Sequence, residues 1–135
     1  MTYLVDATVL SEATRAEPNA GAIDWLDRNK RSYVVDPIVL GEIRIGILGL
    51  HAGRKRAQLE RWYDSVVRLV DCVPWDRKVG LRWATLVADL KRRGETLPTL
   101  DSMIAATALT HGLLICTRNV SQFRRAGVEV VNPFS

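Results

Sequence analysis

Along this chain, short apolar runs alternate with longer stretches in which apolar residues return every three or four positions. The first pattern predicts strands and the second amphipathic helices. Tyr3-Leu4-Val5 is the first strand. Val9 to Glu12 begins a short helix that Pro18-Asn19 ends, and Asn19 caps a second helix carrying Ile23, Trp25 and Leu26 as far as Asn29-Lys30. Ser32 to Val35 is the second strand. Pro37 suits the first turn of a helix running through Ile38, Leu40, Ile43, Ile47 and Leu50. After Gly53, the residues from Arg54 to Val70 form another helix, with Leu59, Trp62, Tyr63, Val66 and Val67 apolar. A third strand is expected at Val70 to Val73.

Asp76 caps a helix with Val79, Trp83, Leu86, Val87 and Leu90 on one face, and Gly94 and Pro98 bracket a loop. Asp101 to Thr110 is the next helix, and Leu113 to Cys116 a buried strand. Gln122-Phe123 belongs to a short turn or helix, and Val128 to Val131 is the last strand. Strands alternating with helices indicate an α/β fold: three layers, α/β/α, around a mostly parallel sheet. The spacing of Trp25, Trp62, Trp75 and Trp83 assigns them to the core rather than to base stacking.

Composition adds limits. A length of 135 residues matches one domain, with 47% hydrophobic and 25% charged residues, so the chain has the material for a packed core. No apolar run approaches the roughly 20 residues needed to span a bilayer. Met1 to Asp6 has no basic segment and meets an acid early, so no cleaved leader is expected and the expected location is cytoplasmic. Cys72 and Cys116 have no metal-type spacing and lie in apolar surroundings, which predicts buried free thiols. The net charge of +4 and clusters such as Arg54-Lys55-Arg56 and Lys91-Arg92-Arg93 are compatible with a polyanionic partner, and equally with solvated helix faces.

Candidate chemistry follows from topology. In a parallel sheet covered by helices, ligands bind at the edge where strands end and helices begin. Asp6 follows the first strand, Glu42 lies in the early turns of the Pro37 helix, Asp101 starts its helix, and Thr117-Arg118-Asn119 leaves the Leu113–Cys116 strand. Each acid also has a plain role. Asp6 could cap a helix, and Asp101 could interact with a helix dipole. Asp36, Asp71 and Asp76 lie near strand ends too, so topology alone does not choose the set. Converging carboxylates repel one another, a conflict that a hard divalent cation such as Mg2+ or Mn2+ removes.

The residues at these positions resemble PIN-domain ribonucleases, and within them the VapC-like toxins of type II toxin–antitoxin pairs. Four blocks carry the resemblance in order: Leu4-Val5-Asp6-Ala7-Thr8, Val39-Leu40-Gly41-Glu42-Ile43-Arg44-Ile45-Gly46, Asp101-Ser102-Met103-Ile104-Ala105-Ala106, and Thr117-Arg118-Asn119-Val120-Ser121-Gln122-Phe123. The tail Val128 to Pro133 matches as well, so the resemblance spans the chain. It implies a metal-dependent endoribonuclease with Asp6, Glu42 and Asp101 as metal ligands and, with Asn119, as the catalytic set. Thr8 and Thr117 would support that set, and Arg118 and Arg44 would contact RNA. It also implies a homodimer inhibited by a small VapB-like antitoxin, and it selects Glu42 over Asp36.

Many relatives carry Asp where this chain has Asn119 and Gln122, so one ion fits better than two. The same amides motivate an alternative, a catalytically weak PIN-like module that binds RNA or protein. A phosphatase using an Asp-x-Asp pair is disfavoured, because Asp6-Ala7-Thr8 lacks the second acid.

Overall fold

A computed structural model describes residues 2–135. Four strands, β1 (Tyr3–Val5), β2 (Tyr33–Val34), β3 (Leu114–Cys116) and β4 (Val130–Val131), form one sheet in the order β2-β1-β3-β4, with every pairing parallel. Among the described residues seven helices flank it: α1 (Ala7–Leu10), α2 (Ala20–Arg28), α3 (Pro37–Leu48), α4 (Arg54–Leu69), α5 (Arg77–Arg92), α6 (Thr99–His111) and α7 (Val120–Arg125), with a 3-10 turn at Ser11–Thr14. The expected α/β fold with a parallel sheet is the fold observed. Leu4, Val5, Val34 and Ile115 are fully buried, as strands covered on both faces require. Among the described residues no helix is long and apolar enough to cross a membrane.

Local chemistry sets the helix starts. Asp6, Asn19, Asp36 and Asp76 each accept a hydrogen bond from the backbone N–H three residues on, which satisfies a donor that the first turn leaves unpaired. At the end of α6, Gly112 takes a left-handed conformation (φ 65°) that lets the chain turn directly into β3.

Four expectations require correction. The third strand is reduced to a single bridge between Val35 and Cys72, held by Val35 N–H to the Asp71 carbonyl and Val73 N–H to the Val35 carbonyl, both 2.9 Å. On one side Asp36 already caps α3, and on the other Pro74 has no N–H to donate, so the pairing does not extend. Cys72 is therefore at the sheet's margin and exposed, whereas Cys116 is buried. Of the tryptophans, Trp25 lies in the core and Trp62 packs against it, while Trp75 and Trp83 are half-buried outside that cluster. The helix expected from Asp101 starts at Thr99, which puts Asp101 in its first turn.

Candidate active site

Strand order creates the site. From β1 the chain moves to β2 on one side, while β3 and then β4 lie on the other, so the strand order reverses between β1 and β3. Crevices at the carboxyl ends of such neighbours are where open α/β sheets bind ligands. Val5 and Cys116 are paired in register, and Asp6 N–H continues the ladder to the Cys116 carbonyl at 3.1 Å. The next residue of each strand, Asp6 and Thr117, therefore meets across this crevice.

Asp6 is 3% exposed, and both oxygens of its carboxylate accept hydrogen bonds. One oxygen accepts from the Thr8 hydroxyl at 2.6 Å and from Val9 N–H at 3.3 Å, and the other accepts from the buried Thr117 hydroxyl. The two threonines tie in the fourth block: Thr8 Oγ1 accepts from Arg118 N–H at 3.2 Å, and Thr117 Oγ1 from Asn119 N–H at 2.9 Å. Burial pushes the Asp6 carboxyl above its usual range, and the hydrogen bonds from Thr117, Thr8 and the local backbone pull against that rise.

Glu42, half-buried on α3, is also raised, first by burial and then by the charges of Asp101, Asp6 and Asp36. Asp101 on α6 is raised by burial and by Asp6. These three acids thus sense one another electrostatically. They are not in mutual ligand contact: among the described residues no three His, Cys, Asp or Glu are drawn together as a closed metal cage. As a donor set they still suit Mg2+ or Mn2+, since all are hard carboxylate oxygens whose ionised forms a nearby cation would favour.

A fourth acid is fully buried. Asp36 is 0% exposed, accepts from Val39 N–H at 2.9 Å and from the Thr107 hydroxyl at 2.6 Å, and so ties the start of α3 to the middle of α6. Burial raises its carboxyl above the usual range. It faces inward as a brace between the helices that carry Glu42 and Asp101. No local pattern announces the pairing, because 71 residues separate the partners.

The PIN-domain family model matches residues 3–129. The chain belongs to the PIN-domain family. This PIN domain is 30% identical to "VapC ribonuclease Y4jK" of Sinorhizobium fredii, over 97% of the chain and 96% of that protein. It is 34% identical to "Toxin FitB" of Neisseria gonorrhoeae, over 97% of each. Among solved structures, FitAcB from Neisseria gonorrhoeae superposes with a TM-score of 0.90 at 33% identity, covering 98% of both chains.

The remaining sequence candidates sit around this edge of the PIN domain in different states. Asn119 is exposed and precedes α7 without a side-chain cap hydrogen bond, and the Gln122 side-chain oxygen is buried without a partner. Arg118 is exposed, its guanidinium carbon over the Phe134 ring, 4.8 Å from the centroid. Arg44 instead turns to α4, with Glu60 at 3.5 Å and the Tyr63 ring at 5.7 Å. Beside Glu42 opens an apolar-walled groove of about 320 Å³, bounded by Thr8, Ile43, Ile47, Leu59 and Trp62.

Proposed function

We propose that this PIN domain is the toxin of a type II toxin–antitoxin pair, a cytoplasmic endoribonuclease dependent on Mg2+ or Mn2+. The reading is supported by Asp6 at the end of β1, beside the strand-order reversal, lying near enough to Glu42 and Asp101 for its charge to raise both of their carboxyls, all three being raised by burial as well. The names of the relatives, a ribonuclease and a toxin, agree with it.

Asp6, Glu42 and Asp101 would hold the ion, which when bound supplies charge to the scissile phosphate and acidifies water. Thr8 and Thr117 fix the Asp6 carboxylate, so it meets its ligand without reorganising. Glu42, half-buried and raised, either completes that shell or accepts the proton of the attacking water. Arg118 contacts a phosphate of the RNA, and Asn119 lends a neutral amide to the rim. Arg44 would first have to leave Glu60 and Tyr63, so Arg118 takes the leading place in RNA binding. Attack by water leaves 5′-phosphate and 3′-hydroxyl ends.

The apolar groove beside Glu42 suits the docking of an antitoxin segment next to the acids. A small VapB-like antitoxin and a homodimeric toxin complete the reading.

The test is cleavage of total cellular RNA by the purified protein with Mg2+ or Mn2+, with EDTA, and with Asp101→Asn. Cleavage that requires metal and vanishes in the variant is the expected result. A folded, antitoxin-free protein that binds RNA without cutting it would replace this reading with the binding module, and the amide of Asn119 would be the first cause to examine.

A further inference from the structure

The tail after β4 is anchored more firmly than its position in the chain would suggest. Parallel pairing of β3 with β4 brings both strand ends to the same edge, and Thr117 N–H donates to the Val131 carbonyl at 2.9 Å. Residues 132–135 then cross this edge to the start of α2. There the Asn19 side chain donates to the Ser135 carbonyl at 3.1 Å and accepts from Ser135 N–H at 3.1 Å, while Gly21 N–H donates to the Ser135 hydroxyl at 3.2 Å. Asn19 is itself fixed, its N–H donating to the buried Glu12 carboxylate at 2.8 Å.

Gly21 leaves no room to spare: a Cβ there would lie 2.7 Å from the Pro133 carbonyl oxygen and 2.8 Å from Ser135 Cβ. Between these anchors Phe134 N–H donates to the Asn132 side chain at 3.0 Å, and the Phe134 ring lies under Arg118.

Arg118 is held in the same place from its other end, since its own N–H donates to Thr8, the residue that orients Asp6. Among the described residues no carboxylate pairs with its guanidinium. Stacking on a ring uses the face of a guanidinium and leaves its N–H edge free for phosphate.

We infer that Phe134 is a positioning residue: the docked tail holds its ring beneath Arg118, so the guanidinium is pre-aimed at an RNA phosphate beside the Asp6 carboxylate. This rests on the ribonuclease reading and on Arg118 as the phosphate contact. Immobilising a flexible side chain in advance spares the entropy lost on binding, worth roughly 2- to 12-fold in affinity. The effect belongs in KM, because the ring touches neither substrate nor reacting atoms.

The experiment measures initial cleavage rates across concentrations of total cellular RNA, with Mg2+, for wild type, Phe134→Leu, Phe134→Tyr, Arg118→Ala, the Arg118→Ala/Phe134→Leu double variant and Gly21→Ala. Phe134→Leu keeps apolar bulk without the ring and is expected to raise KM several-fold with kcat retained, whereas Phe134→Tyr restores the wild-type KM. The double variant should be no worse than Arg118→Ala. Gly21→Ala, not itself one of the site residues but incompatible with the docked tail, should reproduce the KM of Phe134→Leu. Unchanged KM in Phe134→Leu beside a raised KM in Arg118→Ala would overturn the positioning role and leave the ribonuclease reading standing. Multiplying effects in the double variant would overturn it equally. Wild-type cleavage unaffected by Arg118→Ala would remove the phosphate contact and this inference together, and a wild type that cuts no RNA would overturn both the inference and the proposed function.

Discussion

Replacing Thr117 with Val isolates what the buried hydroxyl does for Asp6. The substitution keeps the shape of a fully buried side chain and removes one donor and one acceptor. A hydrogen bond to a charged group contributes about 1.5–3 kcal/mol. Asn119 N–H, which also loses its partner, belongs to an exposed residue that water reaches, so it adds little. The expected loss where Asp6 is ionised is therefore about 2–3 kcal/mol. At this chain length that corresponds to a fall of about 6–12 °C in Tm.

The loss should depend on pH. Because burial raises the folded Asp6 carboxyl above its unfolded value, its proton-linked stability is fully present below that unfolded value and is lost as pH rises through the folded one. Deleting the Thr117 donor removes the largest of the effects that lower the folded value, so the gap widens and the penalty grows from acid to neutral pH. Urea denaturation with EDTA between pH 4 and 8 reads this directly. A Thr117→Val penalty that is flat with pH, or largest in acid, would refute the reasoning, and Thr117→Ser should recover most of the loss.

Further outcomes follow from other parts of the molecule. Glu42 and Asp101 are raised by burial and by like charge, so the metal-free protein should lose stability as pH rises through their folded values. Adding Mg2+ at neutral pH should raise the Tm of wild type and much less that of Asp101→Asn, as thermal melts with Mg2+ and with EDTA would show. Gly112→Ala meets no neighbouring atom but places a side chain at φ 65°, and should cost about 1–2 kcal/mol by urea denaturation, with Gly112→Asn milder. Thiol titration of the folded protein should find Cys72 alone. Cys116 is buried with its thiol pushed up to about 12, and should react only in denaturant.

The parts of this molecule legible in the sequence are those governed by local rules. Short apolar runs located β1 and β3 and the period-3.6 pattern the long helices, and the cap residues Asp6, Asn19 and Asp76 marked helix starts. Val70 to Val73 misled because apolar content does not show whether a run has an unspent partner edge, and only Val35 offers one. The same gap exposes Cys72. The tryptophan error has a similar origin: Trp83 follows the buried face of α5 and its indole N–H donates to the buried Ser102 hydroxyl at 2.9 Å, yet the large ring is only half-buried.

At the site, the carboxyl-edge rule pointed to Asp6 and the Thr117 segment, but the selection among acids came from family resemblance. The Asp36–Thr107 brace and the Phe134 platform were invisible, because each joins residues far apart in the chain through contacts that no short pattern records.

The hydrogen bond between Thr117 and Asp6 joins residues 111 positions apart, and β1 gains its β3 neighbour only when Leu114 to Cys116 exist. At ordinary translation speeds, roughly 5–20 s separate the synthesis of these two ends of the site. Throughout that interval Asp6 has only its local partners, the Thr8 hydroxyl and Val9 N–H on one oxygen, and lacks the Thr117 donor on the other. Connectivity thus delays the completed candidate site until nearly the whole fold has been made.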